Sequence, residues 1–275
     1  MRRKIILHGP SSLTVSLPSS WVKQNSLKKG DDVDVAEESN SLVIRSAENN
    51  AALKSIEISF IGLDENTRHD LILALHRNGY DEIKILVDKH NIVKEIHSHL
   101  NLLQLGYEII KQESNSITLR NILSPDVEQF DNLFRRIFRM TLEYSKKIGA
   151  IIESKEGITD SCLMHETSIH RISNYCRRII VKDKLPNACF LYSILSSINF
   201  IAHTLTNLLQ EIRAKDNLSK KFISQYWEAC SLLSDVYGLF YKFSLKEYGS
   251  IKKKIDDFNI PEKLSKEDVC YFNYI

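Results

Sequence analysis

Glycine and proline are scarce, with nine and five among 275 residues. Phosphate-cradling loops and strained nucleophile turns depend on glycine, because backbone must approach ligand without a Cβ in the way. The chain has no P-loop, no dinucleotide fingerprint and no G-x-S-x-G. No catalytic constellation emerges, so the protein is not expected to be an enzyme. Cysteine is missing from the first 161 residues, and the five that follow are Cys162, Cys176, Cys189, Cys230 and Cys270. Their odd number and the lack of any C-x-x-C pair imply reduced core thiols, not a disulfide framework. No secretory leader is expected either. Arg2, Arg3 and Lys4 imitate its basic start, but only Ile5-Ile6-Leu7 follows as an apolar run. These absences lead us to expect a cytoplasmic location.

One long segment carries no formal charge, from Asn187 to Gln210. It has the length of a membrane span. It also holds Ser193, Ser196, Ser197, Asn199, His203, Thr204, Thr206 and Asn207, polar groups too numerous to abandon in hydrocarbon. A helix buried in a bundle is expected, without membrane insertion.

Acidic residues are absent from the first thirty positions, which hold Arg2, Arg3, Lys4, Lys23, Lys28 and Lys29. Asp31, Asp32, Asp34, Glu37 and Glu38 follow at once. A net charge of +2 hides this segregation. It points to one face built for an anionic partner.

Periodicity divides the chain in three. Residues 1–46 alternate with period two through Ile5/Leu7, Leu13/Val15/Leu17, Val33/Val35 and Leu42/Ile44, with turns at 9–12, 29–31 and 38–40. This predicts four strands, with a short helix from Pro18 to Asn25. Residues 47–54 read as a linker. Residues 55–122 read strand, helix, strand, helix, strand, strand, a small α+β domain of the ferredoxin-like kind. The helices, at 68–77 and 92–105, close at Gly79 and Gly106. From Ser124, an N-cap followed by Pro125, the period becomes helical. The stripe Phe130, Leu133, Phe134, Ile137, Phe138, Thr141 and Ile148 should face a core. Helices are expected at 158–182, 187–213 and 218–243, with shorter ones after Gly249 and Pro261. Residues 124–258 thus form an antiparallel bundle.

A module of about 46 residues buries too little apolar surface to fold alone without metal, disulfide or partner. No cysteine or histidine cluster is available in it, since His8 stands alone, so oligomerisation remains. The Gly30 turn joins two strand pairs that two chains could exchange, giving an intertwined homodimer through residues 1–46.

Arg3-Lys4-Ile5-Ile6, Ser11-Ser12-Leu13-Thr14-Val15-Ser16-Leu17-Pro18, Trp21-Val22 and Leu27-Lys28-Lys29-Gly30-Asp31-Asp32-Val33 carry a resemblance. The segment resembles the SpoVT/AbrB (MazE-like) swapped-hairpin domain. That resemblance implies a dimeric β-barrel holding double-stranded DNA, with Arg2, Arg3, Lys4, His8, Ser11, Ser12 and Lys23 as contacts. Cationic side chains, loop hydroxyls and backbone N–H groups suit phosphate oxygens. Lys28 and Lys29 read as turn residues instead.

The order of segments, and Glu128-Gln129-Phe130-Asp131-Asn132-Leu133-Phe134-Arg135-Arg136-Ile137-Phe138 after Ser124-Pro125, resembles archaeal PhoU-type phosphate-uptake regulators fused to an AbrB domain. PhoU-like bundles carry E-x-x-x-D motifs that can bind metal. The best counterparts here are Glu166–His170 and Asn199–His203, which retain one of four expected acids. Neutral Asn and His cannot balance a cation cluster, so no cofactor is expected. A hydrogen-bonded polar layer is preferred over a single divalent ion on Glu166, His170 and His203. His165 and His170 lie about 140° apart around a helix and cannot chelate together.

The favoured function is a DNA-binding transcriptional regulator linked to phosphate uptake, its helical half receiving a signal or protein partner. Alternatives are a PhoU-type interaction protein docking on a transporter ATPase or signalling kinase, dimerised by the N-terminal module, and an antitoxin-like module.

Overall fold

A computed structural model describes residues 2–38, 41–46, 53–88, 92–103, 105–123, 127–154, 160–213 and 218–258. The chain is multidomain and divides into two compact units, residues 1–55 and 56–275. Small strand sheets lie toward the N-terminus, the C-terminal region is mostly helical, and the described residues form eight helices.

The first unit has two separate two-stranded antiparallel sheets. Strands β1 (Ile5–His8) and β2 (Ser12–Val15) form one, and β3 (Val33–Glu38) and β4 (Ser41–Ser46) the other. Between them lies α1 (Ser19–Gln24), entered from Pro18 at φ −61°, where a missing N–H costs nothing. The turns after β1 and before β3 place Gly9 and Gly30 at φ 73° and 101°, a left-handed region that side-chain-bearing residues avoid. Lys28 N–H donates to Asp31 Oδ2 at 2.7 Å, across a turn at Lys29 and Gly30.

The second unit opens with β5 (Ser55–Ser59), α2 (Glu65–Arg77), β6 (Glu82–Leu86), α3 (Ile92–Leu103), β7 (Tyr107–Gln112) and β8 (Ser116–Asn121). The four strands make one sheet in the order β5-β6-β8-β7. The α+β composition matches the sequence pattern, but a ferredoxin-like topology does not apply. That fold places a strand pair between its two helices, whereas here β7 and β8 follow both helices as a terminal hairpin. Ile72, Leu75, Ile83, Ile85, Ile96, Tyr107, Ile117 and Leu119 form its core.

Five helices follow: α4 (Val127–Ser154), α5 (Asp160–Lys182), α6 (Ala188–Arg213), α7 (Lys220–Tyr241) and α8 (Leu245–Asp257). Helix α4 packs on α5, α6 and α7, and buries Phe130, Phe134, Ile137, Phe138, Thr141 and Ile148. Arg135, Arg136, Arg139 and Lys146 remain exposed on its opposite side. The expected Ser124–Pro125 cap and the helix after Pro261 lie outside the described residues. Helix α8 starts at Leu245 and passes through Gly249 instead of starting after it. Ser244 supplies the cap, accepting from Glu247 N–H at 3.4 Å.

Helix α6 is less buried than the expected bundle helix. Among the described residues it is the one helix long and apolar enough to cross a membrane, yet 22% of its most apolar stretch is buried. Leu195, Ile198, Ala202, Leu205 and Leu209 enter the core, while Phe190 and Phe200 are 59% and 70% exposed. Cys189 is also exposed, which takes it out of the set of core thiols, whereas Cys176 is buried.

The α+β part rests on α5 through a buried polar seam. Arg178 donates to the carbonyls of His76 (3.1 Å) and Tyr80 (2.6 Å) and to Asp81 Oδ1 (2.7 Å). Lys182 shares the same carboxylate oxygen. His76 Nε2 meets Leu105 O at 3.0 Å, and Tyr107 donates its hydroxyl proton to Tyr80 O at 2.6 Å.

Candidate nucleic-acid interface

The β1–β2 hairpin has two unlike faces, because alternate residues of a strand point to opposite sides. Ile5 faces Val15 and Leu7 faces Leu13, which makes an apolar row. Ile6 faces Thr14 and His8 faces Ser12, which makes the other. Thr14 Oγ1 donates back to Ile6 O at 3.2 Å and ties the polar row to the hairpin.

Among the described residues of the first unit, none covers the apolar row. Ile5, Leu7, Leu13 and Val15 are 69%, 64%, 69% and 47% exposed. In the second hairpin, Val35 pairs with Ile44 and Glu37 with Leu42, and Val35 and Leu42 are exposed as well. No described side chain from 2 to 46 is buried.

The seven residues expected to touch DNA are all exposed. Arg2, Arg3 and Lys4 lead directly into β1, whose last residue is His8. Ser11 and Ser12 stand across the Gly9 turn, so these six occupy one hairpin. Lys23 sits apart, in the last turn of α1. The register from Ile5↔Val15 to His8↔Ser12 puts Arg2, Arg3 and Lys4 at the open end of the hairpin and His8, Ser11 and Ser12 at its turn. Guanidinium, ammonium and hydroxyl groups all suit phosphate oxygens.

In the second unit, the Glu166 pair of motifs does face across helices. Glu166 Oε1 lies 2.9 Å from His203 Nδ1 on α6 and 3.9 Å from His170 Nε2 one turn along α5. His170 Nε2 also lies 3.5 Å from the Asn199 carbonyl. Burial lowers the His170 pKa, and Glu166 works against that shift. The Asn199 side chain does not complete the layer, since its Oδ1 is buried without a partner. Cys162, on the same stripe by spacing, has its side chain outside the described residues. Among the described residues, no three His, Cys, Asp or Glu side chains are arranged to hold a metal ion.

Sequence reasoning passed over Arg177 and Arg178. Their signal was available: two guanidinium groups interrupt the apolar run Cys176–Val181 near the end of α5. Cations at such a position must be met by partners from elsewhere.

Residues 7–51 match the family model of MazE, described as antidote-toxin recognition and bacterial antitoxin. No curated protein and no solved structure matches the chain. The match supports an AbrB/MazE-like swapped-hairpin module at the N-terminus, and domains of that type usually bind DNA and dimerise.

Proposed function

We propose that the protein is a dimeric, DNA-binding transcriptional regulator whose helical half receives a signal linked to phosphate uptake. The exposed apolar row of the β1–β2 hairpin, with Arg2, Arg3 and Lys4 at its open end and His8, Ser11 and Ser12 at its turn, carries this reading. A second copy of the module would bury Ile5, Leu7, Leu13 and Val15, at roughly 25 cal/mol per Å² of apolar surface removed from water. Arg2, Arg3, Lys4, His8, Ser11 and Ser12 then serve the duplex, and Lys23 adds a further cation. The phosphate link and the PhoU-like role rest on the order of segments and on the opening of α4. The Arg135–Arg136–Arg139 face of α4 and the exposed Phe200 of α6 leave the bundle open to a protein partner.

Replacing Arg2, Arg3 and Lys4 together by Ala tests the reading. The dimer should persist, duplex affinity should fall, and the log–log salt slope should flatten by roughly 0.9 for each phosphate that is no longer neutralised. Unchanged affinity and slope would remove these residues from any DNA surface. The matched family favours one second reading, an antitoxin-like module. Neutralisation of the product of an adjacent small toxin gene, with no salt-dependent duplex retention, would select it.

A further inference from the structure

Arg77, in the last turn of α2, and Arg177, on α5, converge on one neutral oxygen. Arg77 Nε and Nη2 reach Asn174 Oδ1 at 3.0 and 2.8 Å, and Arg177 Nη1 reaches it at 3.3 Å. An amide oxygen has two lone pairs, so three charged donors exceed what it can satisfy. Arg177 Nη2 takes one more acceptor, Ser196 Oγ at 3.2 Å, and its guanidinium lies 5.1 Å from the centre of the Tyr192 ring. Arg177 is 4% exposed and its Nε has no partner.

No carboxylate meets either group in an ion pair among the described residues. Asp70 acts on Arg77 through space alone, from a side chain 80% exposed. By contrast, the buried Arg178 has Asp81, and the half-buried Arg68 has Glu95 at 2.6 Å. Burial and the neighbouring Arg77 charge pull the Arg177 pKa down to about 10. Desolvation likewise lowers that of Arg77. Two like charges held together in a poorly hydrated place invite an anion.

The same neighbourhood offers room. Tyr192, Ser193 and Ser196 line an open cleft of about 560 Å³ between the end of α5 and the start of α6, and Lys184 lines it too. Ser196 and Tyr192 therefore touch Arg177 on one side and the cleft on the other.

We propose that Arg77 and Arg177, with Ser196 and the adjoining Lys184 cleft, form a binding site for a compact oxyanion of the phosphate or carboxylate class. Guanidinium forks match the paired oxygens of both. The site stands on residues that the DNA-binding reading does not use.

Calorimetric titration of the full chain carrying the Arg2, Arg3 and Lys4 to Ala changes tests this, because those three cations then take up no anion. The Arg77→Gln comparison isolates the helical site from the N-terminal lysines that remain. Inorganic phosphate and succinate are titrated separately, at matched ionic strength in chloride. Saturable binding of one anion per chain is expected, at least tenfold weaker in Arg77→Gln, which removes a charge at a half-buried position. Tighter phosphate binding identifies a phosphate ligand, and tighter succinate binding a carboxylate one. Absence of saturable binding by both anions overturns the proposal, as does equal binding by Arg77→Gln. Arg77→Gln, replacing only a half-buried side chain, keeps the test valid if Arg177→Gln fails to fold.

Discussion

Arg178 on α5 and Asp81 just before β6 form a 2.7 Å ion pair with side chains 0% and 8% exposed. The pair joins residues 97 positions apart and fixes the α+β part on the bundle. Removing one partner of a buried pair leaves the other charge without compensation. Arg178→Met should destabilise the second unit by about 3–5 kcal/mol in chemical denaturation. A loss below about 1 kcal/mol, the range of exposed pairs, would show that the seam is hydrated.

The exposed apolar row of the first hairpin predicts association. Light scattering of the full chain should report a dimer, and Leu7→Asp with Leu13→Asp should yield a monomer that retains the helical signal. A wild-type monomer at micromolar concentration would contradict the dimeric module.

His76 sets a pH dependence. Its side chain is fully buried, and burial, followed by the Arg178 charge, pushes its pKa down to about 3, against about 6.5 for an exposed imidazole. Between those values the unfolded chain binds a proton that the folded chain refuses, so stability falls as pH drops. Above about 6.5 both states are neutral and this group adds no slope. Its contribution should approach about 1.4 kcal/mol per pH unit within the window. His76→Gln should remove that part of the slope, and identical profiles for both proteins would assign the acid lability elsewhere.

Gly149 on α4 admits the Trp227 ring of α7. A Cβ at this position would come within 2.6 Å of the indole. Trp227 Nε1–H also donates to Glu153 Oε1 at 2.8 Å. Gly149→Ala should cost about 1–3 kcal/mol through overpacking and shift the tryptophan emission. An unchanged spectrum and midpoint would mean that the indole moves aside freely.

The Glu166–His203 contact predicts a bundle that folds without metal. Chelator treatment followed by dialysis should leave Tm unchanged, and elemental analysis should find far less than one metal per chain. Stoichiometric zinc with a large chelator-induced fall in Tm would reverse this.

Much of the secondary structure was legible because each segment repeats one period. The strands in 5–15 and 33–46 follow alternation, and the buried face of α4 follows the helical spacing of Phe130, Phe134, Ile137, Phe138 and Thr141. Gly249 misled because glycine usually marks a helix end. On the exposed side of α8 nothing lies within 4 Å of where its Cβ would be, so the helix passes through. The sheet order β5-β6-β8-β7 was not legible, since the same elements satisfy more than one pairing. Glu166 and His203 were readable as a facing pair from their i, i+4 motifs. The Arg77–Asn174–Arg177 cluster was not, because no local pattern reveals which residue across a 97-residue separation supplies the acceptor.

The uncovered hairpins of residues 2–46 carry one more consequence. Since no described side chain there is buried, little within a single chain opposes the entropy of the unfolded segment. On the dimeric reading proposed above, its order comes from association, and association obeys mass action. Dilution would loosen the module and accumulation would tighten it. The amount of protein present thus becomes an input to the N-terminal module, before any ligand reaches the helices.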